Sequence, residues 1–96
     1  MLPPLAAGEQ RTRGRLLSID RDHDWVSLVV ETPHGTERFV TARLSLLQLI
    51  SFGPSPAPVT CGPRRDAEPV VVNWRSVSTQ PARARGVASA VAFVER

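Results

Sequence analysis

Five stretches of the chain alternate apolar with polar residues, and a sixth is apolar without alternating. Strict alternation places every second side chain on one face of an extended strand. In RTRGRLLSID, residues 11–20, Leu17 and Ile19 share a face that Arg11, Arg13 and Arg15 continue toward the open end. WVSLVVET, residues 25–32, sets Val26, Leu28 and Val30 against Trp25, Ser27, Val29 and Glu31, and is rich in the β-branched and aromatic residues that strands favour. ERFVTAR, residues 37–43, follows after TPHGTE, in which Pro33 presets φ and Gly35 accepts a left-handed conformation, so the two strands are expected to form a hairpin.

Pairing Thr32 with Thr36 sets Val30 against Arg38, Val29 against Phe39, Leu28 against Val40, Val26 against Ala42 and Trp25 against Arg43. The inner face is then Val26, Leu28, Val30, Val40 and Ala42, and the outer face Trp25, Val29, Phe39 and Arg43. The same register opposes Glu31 and Glu37, an unfavourable like-charge pair that a one-residue shift or a bulge relieves.

ARLSLLQLISFGP, residues 42–54, carries leucines over a broad surface and ends on Gly53-Pro54, a stop signal, so it predicts a short buried helix. Residues 53–69 hold Pro54, Pro56, Pro58, Pro63 and Pro69 and read as an irregular proline-rich loop. VVVNWRSV, residues 70–77, and GVASAVAFVER, residues 86–96, resume strand character on either side of a basic loop, with Val87, Val91 and Phe93 on one face of the last and Ala88, Ala90 and Ala92 on the other. Residues 1–10, with Pro3, Pro4 and Gly8, predict a flexible arm, leaving 11–96 as one small domain.

The expected fold is mainly β, a small five-stranded barrel with three strands, a helix and two strands. This element order resembles the oligonucleotide/oligosaccharide-binding (OB) fold, whose binding surface is built on strands two and three and on the loops joining strands one to two and four to five. An SH3-like barrel is the alternative of similar size.

A 96-residue chain buries a modest core, which favours a compact binding or assembly module over an enzyme with a deep pocket. All its basic residues are arginine, the imprint of a GC-rich, bacterial-like coding sequence, and the net charge of +3 is compatible with phosphate contact. With Cys61 as the sole cysteine no intrachain disulfide forms, and the start MLPPLAAGEQ lacks the basic and apolar regions of a secretory signal; the expectation is a cytoplasmic protein.

The stretch DRDHDW, residues 20–25, spaces Asp20, Asp22, Asp24 and later Glu31 as in a calcium-binding loop. The resemblance fails physically: Trp25 stands where that loop needs glycine, and a strand over 25–31 carries Glu31 about 23 Å from Asp24, at about 3.3 Å per residue. An exposed turn is the simpler reading, and no metal or other cofactor is expected. Without lysine there is no Walker phosphate loop and no Schiff-base chemistry, and no serine or histidine is placed as a catalytic pair, so no enzymatic role is expected.

Ring stacking beside guanidinium groups is what single-stranded nucleic acid requires. Trp25, Phe39 and Arg43, with Arg83 and Arg85 from the basic loop, are therefore the candidate binding residues. The aspartates at the mouth of that surface repel phosphate, and an apolar stripe with a mixed-charge rim suits a protein partner or a second copy of the chain equally well.

Overall fold

The expected strands close on one another as a barrel in the computed structural model, which describes residues 4–51 and 59–94. Among the described residues seven strands form: β1 (Gln10–Asp22), β2 (Trp25–Thr32), β3 (Gly35–Thr41), β4 (Gln48–Ser51), β5 (Gly62–Pro63), β6 (Pro69–Arg75) and β7 (Gly86–Phe93). Five of them close the barrel in the order β1-β2-β3-β7-β6-β1, antiparallel throughout except for the parallel β3–β7 contact. β4 and β5 are additions, β4 parallel along β7 and β5 antiparallel beside β1.

Local chemistry sets the turns. Asp22 pairs with Trp25, so His23 and Asp24 alone turn β1 into β2, with His23 at φ 51°. Histidine and aspartate tolerate that left-handed region better than most side chains. Between β2 and β3, Thr32 Oγ1 accepts a 3.1 Å hydrogen bond from the His34 amide and donates one of 2.9 Å to the Gly35 carbonyl, while Gly35 takes φ 120°. The turn therefore pairs Thr32 with Gly35, and Glu31 faces Thr36 in place of Glu37. The like-charge conflict of the expected register is removed by a slip of one residue, and that slip turns Phe39 inward opposite Leu28 and sends Arg38 and Val40 outward.

The core gathers Leu16, Ile19, Leu28, Val30, Phe39, Val72, Trp74 and Val91, all buried. Trp74 packs at 5.5 Å from Phe39, centroid to centroid, and its indole Nε1 donates to Thr12 Oγ1 at 2.8 Å, so the one polar atom of the ring is satisfied. Two bulges change which residues face in. One at Leu17 lets Leu16 and Ile19 both point to the core, in place of the expected Leu17 and Ile19; the other, opposite Asn73 and Trp74, brings Ala88 inward with Val91 and Phe93.

The expected helix is replaced by a single 3-10 turn, Leu44–Leu46, and by β4. Arg43 at its start makes no side-chain cap, and no acidic residue stands in its first turn, so the helix lacks both usual N-terminal supports. The open edge of β7 supplies the backbone partners, pairing Gln48–Ser51 with Ala90–Phe93. Leu47 reaches the core and Leu44 packs against it, whereas Leu46 and Leu49 stay exposed. The residues of the expected stop signal, Gly53 and Pro54, lie outside the described residues.

The far side of the proline-rich stretch is docked. The Arg64 amide donates to the Leu17 carbonyl at 2.7 Å and the Leu16 amide to the Glu68 carbonyl at 2.9 Å, so residues 62–68 satisfy the backbone of β1 where its bulge leaves it unpaired. Residues 6–9 are anchored as well. Glu9 accepts hydrogen bonds from Ser89 Oγ at 2.6 Å and from the Ala6 amide at 2.8 Å. The Ser89 hydrogen bond first, then that of Ala6, with Arg75 and Arg11 adding positive charge, hold the Glu9 carboxyl below the usual glutamate range.

A folded-state pKa below the unfolded one means that the unfolded chain takes up the proton first as pH falls. The anchor's stabilisation is therefore present above the ordinary glutamate range and lost as pH drops through the depressed value. NMR titration is expected to show the Ala6 amide and the Glu9 carboxyl moving together, and Ser89→Ala is expected to shift that midpoint upward toward the ordinary range. An unshifted midpoint in the variant would remove Ser89 as the cause.

Candidate functional site

Across the outer face of β1, β2 and β3 lies a cleft of about 540 Å³. Its floor is Ser27 paired with Val40, one wall is Asp20 and Asp22 of β1 with Trp25, and the other is the loop after β6, through Pro81, Ala82 and Arg83. Alternation explains the floor: Trp25 and Ser27 of β2 face out because Val26 and Leu28 face the core, and Asp20 and Val40 stand beside Ser27 on its two neighbouring strands.

The opposite wall is shaped by Gln80. Its side-chain carbonyl accepts from the Val77 amide at 2.9 Å, and its side-chain amide donates to the Ala84 carbonyl at 2.8 Å. The Arg85 amide then joins the loop to β3 by donating to the Arg38 carbonyl at 2.7 Å. A loop held at both ends and across its middle keeps its shape without a ligand, which lowers the ordering cost of binding.

Charge is divided across the cleft. Arg38 Nη1 lies 3.3 Å from Asp20 Oδ2, both half exposed, so these two charges cancel at the floor's edge. Asp22, beside the exposed His23, leaves the β1 rim acidic, and Arg83 makes the loop rim basic. Beyond it, Arg38, Arg83 and Arg85 border a second depression of about 370 Å³ with Glu37, whose carboxylate is 3.7 Å from Arg85 Nε.

Of the residues singled out from the sequence, Trp25 and Arg83 meet in the cleft. Arg85 sits beside it, with its guanidinium 5.1 Å from the centre of the buried Trp74 ring, where a cation is favourable on an aromatic face. Phe39 is a correction: it is fully buried in the core opposite Leu28 and presents no ring to the surface. Arg43 is exposed just before the 3-10 turn and does not line the cleft. The expected inner-face residue Ala42 is exposed, and Val40 belongs to the cleft floor, both consequences of the one-residue slip.

Arg38 and Ser27 were not among the expected site residues. The signal for Arg38 lay in the Glu31–Glu37 conflict, since relieving it by one residue moves Arg38 to the outer face. No sequence signal marks Pro81 or Ala82, whose place depends on how Gln80 folds the loop.

The aspartates of DRDHDW stay apart as ligands. Asp20 is engaged with Arg38, Glu31 lies at the other end of β2, and among the described residues no three His, Cys, Asp or Glu side chains are grouped to hold a metal ion. Among the described residues no helix is long and apolar enough to cross a membrane. In comparisons with known proteins, no family model, curated protein or solved structure matches the chain.

Proposed function

We propose that this chain is a non-enzymatic interaction module that holds an extended segment of a protein partner in the cleft between the β1–β2 turn and the β6–β7 loop, acting in the cytoplasm. The observation that carries this reading is the division of charge around a half-buried ring: an acidic rim at Asp22, a basic rim at Arg83 and Trp25 between them beside a floor of Ser27 and Val40. A peptide with an apolar anchor and flanking groups of opposite charge matches all three, and a tryptophan at the centre of an interface is the kind of residue that dominates such contacts. A uniformly negative strand matches only one.

Single-stranded nucleic acid is the second reading, and the position of the cleft favours it. The barrel order β1-β2-β3-β7-β6-β1 resembles that of OB barrels, and the cleft lies on strands two and three, between loops placed like those such barrels use for oligonucleotides. Against it, the burial of Phe39 leaves Trp25 as the ring that lines the cleft among the described residues, and Asp20 and Asp22 stand along the path.

Selection of displayed random peptides on the folded protein distinguishes the two. Peptides are expected that bind the protein and weaken about 30-fold on Trp25→Ala, the equivalent of about 2 kcal/mol for a hot-spot tryptophan. If no selected peptide depends on Trp25, or if an oligonucleotide binds and depends on it, the protein-partner reading is wrong.

A further inference from the structure

Four polar side chains are buried among the described residues, those of Ser27, Thr32, Thr41 and Asn73. Three are committed within the chain. Thr32 holds the turn before β3, Thr41 Oγ1 donates to the Arg43 carbonyl at 3.1 Å, and Asn73 Oδ1 accepts from Arg11 Nε at 3.0 Å. Ser27 is the exception: it is 6% exposed, and among the described residues its hydroxyl has no hydrogen-bond partner. Buried hydroxyls are ordinarily paired.

Among the described residues no side-chain nitrogen or oxygen is sealed from solvent without a partner, so the Ser27 oxygen keeps a small contact with solvent. That contact opens into the cleft, because Ser27 lines it between Asp20 on β1 and Val40 on β3. Asp20 accepts from Arg38 through Oδ2, which leaves Oδ1 as an uncommitted acceptor beside the same floor. A donor and an acceptor therefore wait side by side under the Trp25 ring for whatever enters.

We infer that the anchor which the cleft selects is a tyrosine of the partner segment, an inference that rests on reading the cleft as a peptide site. An apolar anchor such as phenylalanine would strip water from the Ser27 hydroxyl and return nothing, which is costly for a buried polar group. A phenol returns both bonds: its oxygen accepts from Ser27 and donates to Asp20, while its ring packs between Trp25 and Pro81. A cleft of about 540 Å³ has room for that ring. A nucleobase also joins a ring to a polar edge, but it brings a phosphate past the acidic rim at Asp22, where like charges repel.

The test compares N-acetyl-tyrosinamide with N-acetyl-phenylalaninamide, which differ by a single oxygen, titrated into the isotope-labelled full chain and followed by NMR. Both are expected to move the amides of Trp25, Ser27 and Val40, the tyrosine derivative binding about 10-fold more tightly. Ser27→Ala removes the hydroxyl and nearly keeps the shape of the floor, so it is expected to reduce that preference to about 3-fold or less. Trp25→Ala is expected to weaken both derivatives. The comparison on the unaltered chain needs no variant, and thermal melts check that each variant folds.

Equal affinity for the two derivatives overturns the inference, and so does a tyrosine preference that Ser27→Ala leaves intact. If Trp25→Ala weakens both derivatives in either case, the peptide reading of the cleft stands without the tyrosine. Failure of both derivatives to move the cleft amides overturns the inference too. Tighter binding of uridine than of N-acetyl-tyrosinamide at those amides overturns it together with the peptide reading.

Discussion

Replacing Arg64 by alanine is expected to destabilise the barrel by about 3 kcal/mol, the lower part of the range for breaking a buried ion pair. Arg64 comes from the charged run RRDAE, where a solvated side chain is the ordinary expectation, yet its side chain is 5% exposed and that of Glu68 is 16% exposed. Its Nε donates to Glu68 Oε1 at 2.7 Å, and its guanidinium carbon lies 5.9 Å from the centre of the Phe93 ring. Removing the guanidinium leaves the Glu68 carboxylate poorly solvated over the core, and the cost of that uncompensated charge exceeds the net worth of the pair.

Lysine should not rescue the site, because its point charge cannot present the planar fork that meets Glu68 and Phe93 together. The paired substitution Arg64→Met with Glu68→Leu should recover most of the loss, since it removes both charges and keeps the volume. Urea unfolding of the two single variants and the double variant gives the coupling. A loss below about 0.5 kcal/mol for Arg64→Ala, the level of an ordinary surface change, would mean that the pair is solvated and that residues 62–68 are not docked on β1.

The alternation and β-branched content of residues 25–32, 70–75 and 86–93 were enough to place three barrel strands, although burial in them is nearly continuous rather than one-sided. What was not legible depends on partners distant in sequence. A bulge at Leu17 and another beside Trp74 each shift the parity of a strand, and a bulge is decided by the neighbouring strand, not by the residues that carry it. The leucine-rich stretch 44–51 illustrates the same competition. Its composition suits a helix, but β7 offers an unpaired edge and the segment has no cap, so one 3-10 turn and a strand win.

The candidate cleft was legible in position, and its lining was read partly one residue out of register. Reading Asp20–Asp24 and the basic loop as the two mouths of one surface matches where the cleft lies. Phe39 was assigned to that surface through a register one residue out, and in a strand such an error exchanges the two faces completely. The correction alters the functional argument: with Phe39 in the core, Arg38 takes a place on the cleft and pairs with Asp20, and the balance moves from a stacking platform toward a mixed-charge groove.

Gly14→Ala is expected to cost about 3 kcal/mol, at the upper end of what overpacking costs, and to lower the melting temperature by roughly 12 °C or more at about 4–8 °C per kcal/mol for a domain of this size. At Gly14 and Arg15 the first strand passes from pairing with β6 to pairing with β2, the place where the barrel wall closes on itself. A Cβ on Gly14 would overlap the backbone oxygen of Glu31 and approach Val30 Cγ1 to 2.7 Å. Val30 is fully buried and the Glu31 oxygen belongs to β2, so neither can move aside without parting the two strands. The sign is informative, because an alanine that fitted would stabilise the chain by about 0.4–1 kcal/mol through its unfolded state. Thermal and urea unfolding of Gly14→Ala decide the matter: a loss with loosened amide-exchange protection at Arg15 and Leu16 locates the closure of the barrel there, and a neutral or stabilised variant would show that β1 and β2 do not meet as closely as the geometry requires.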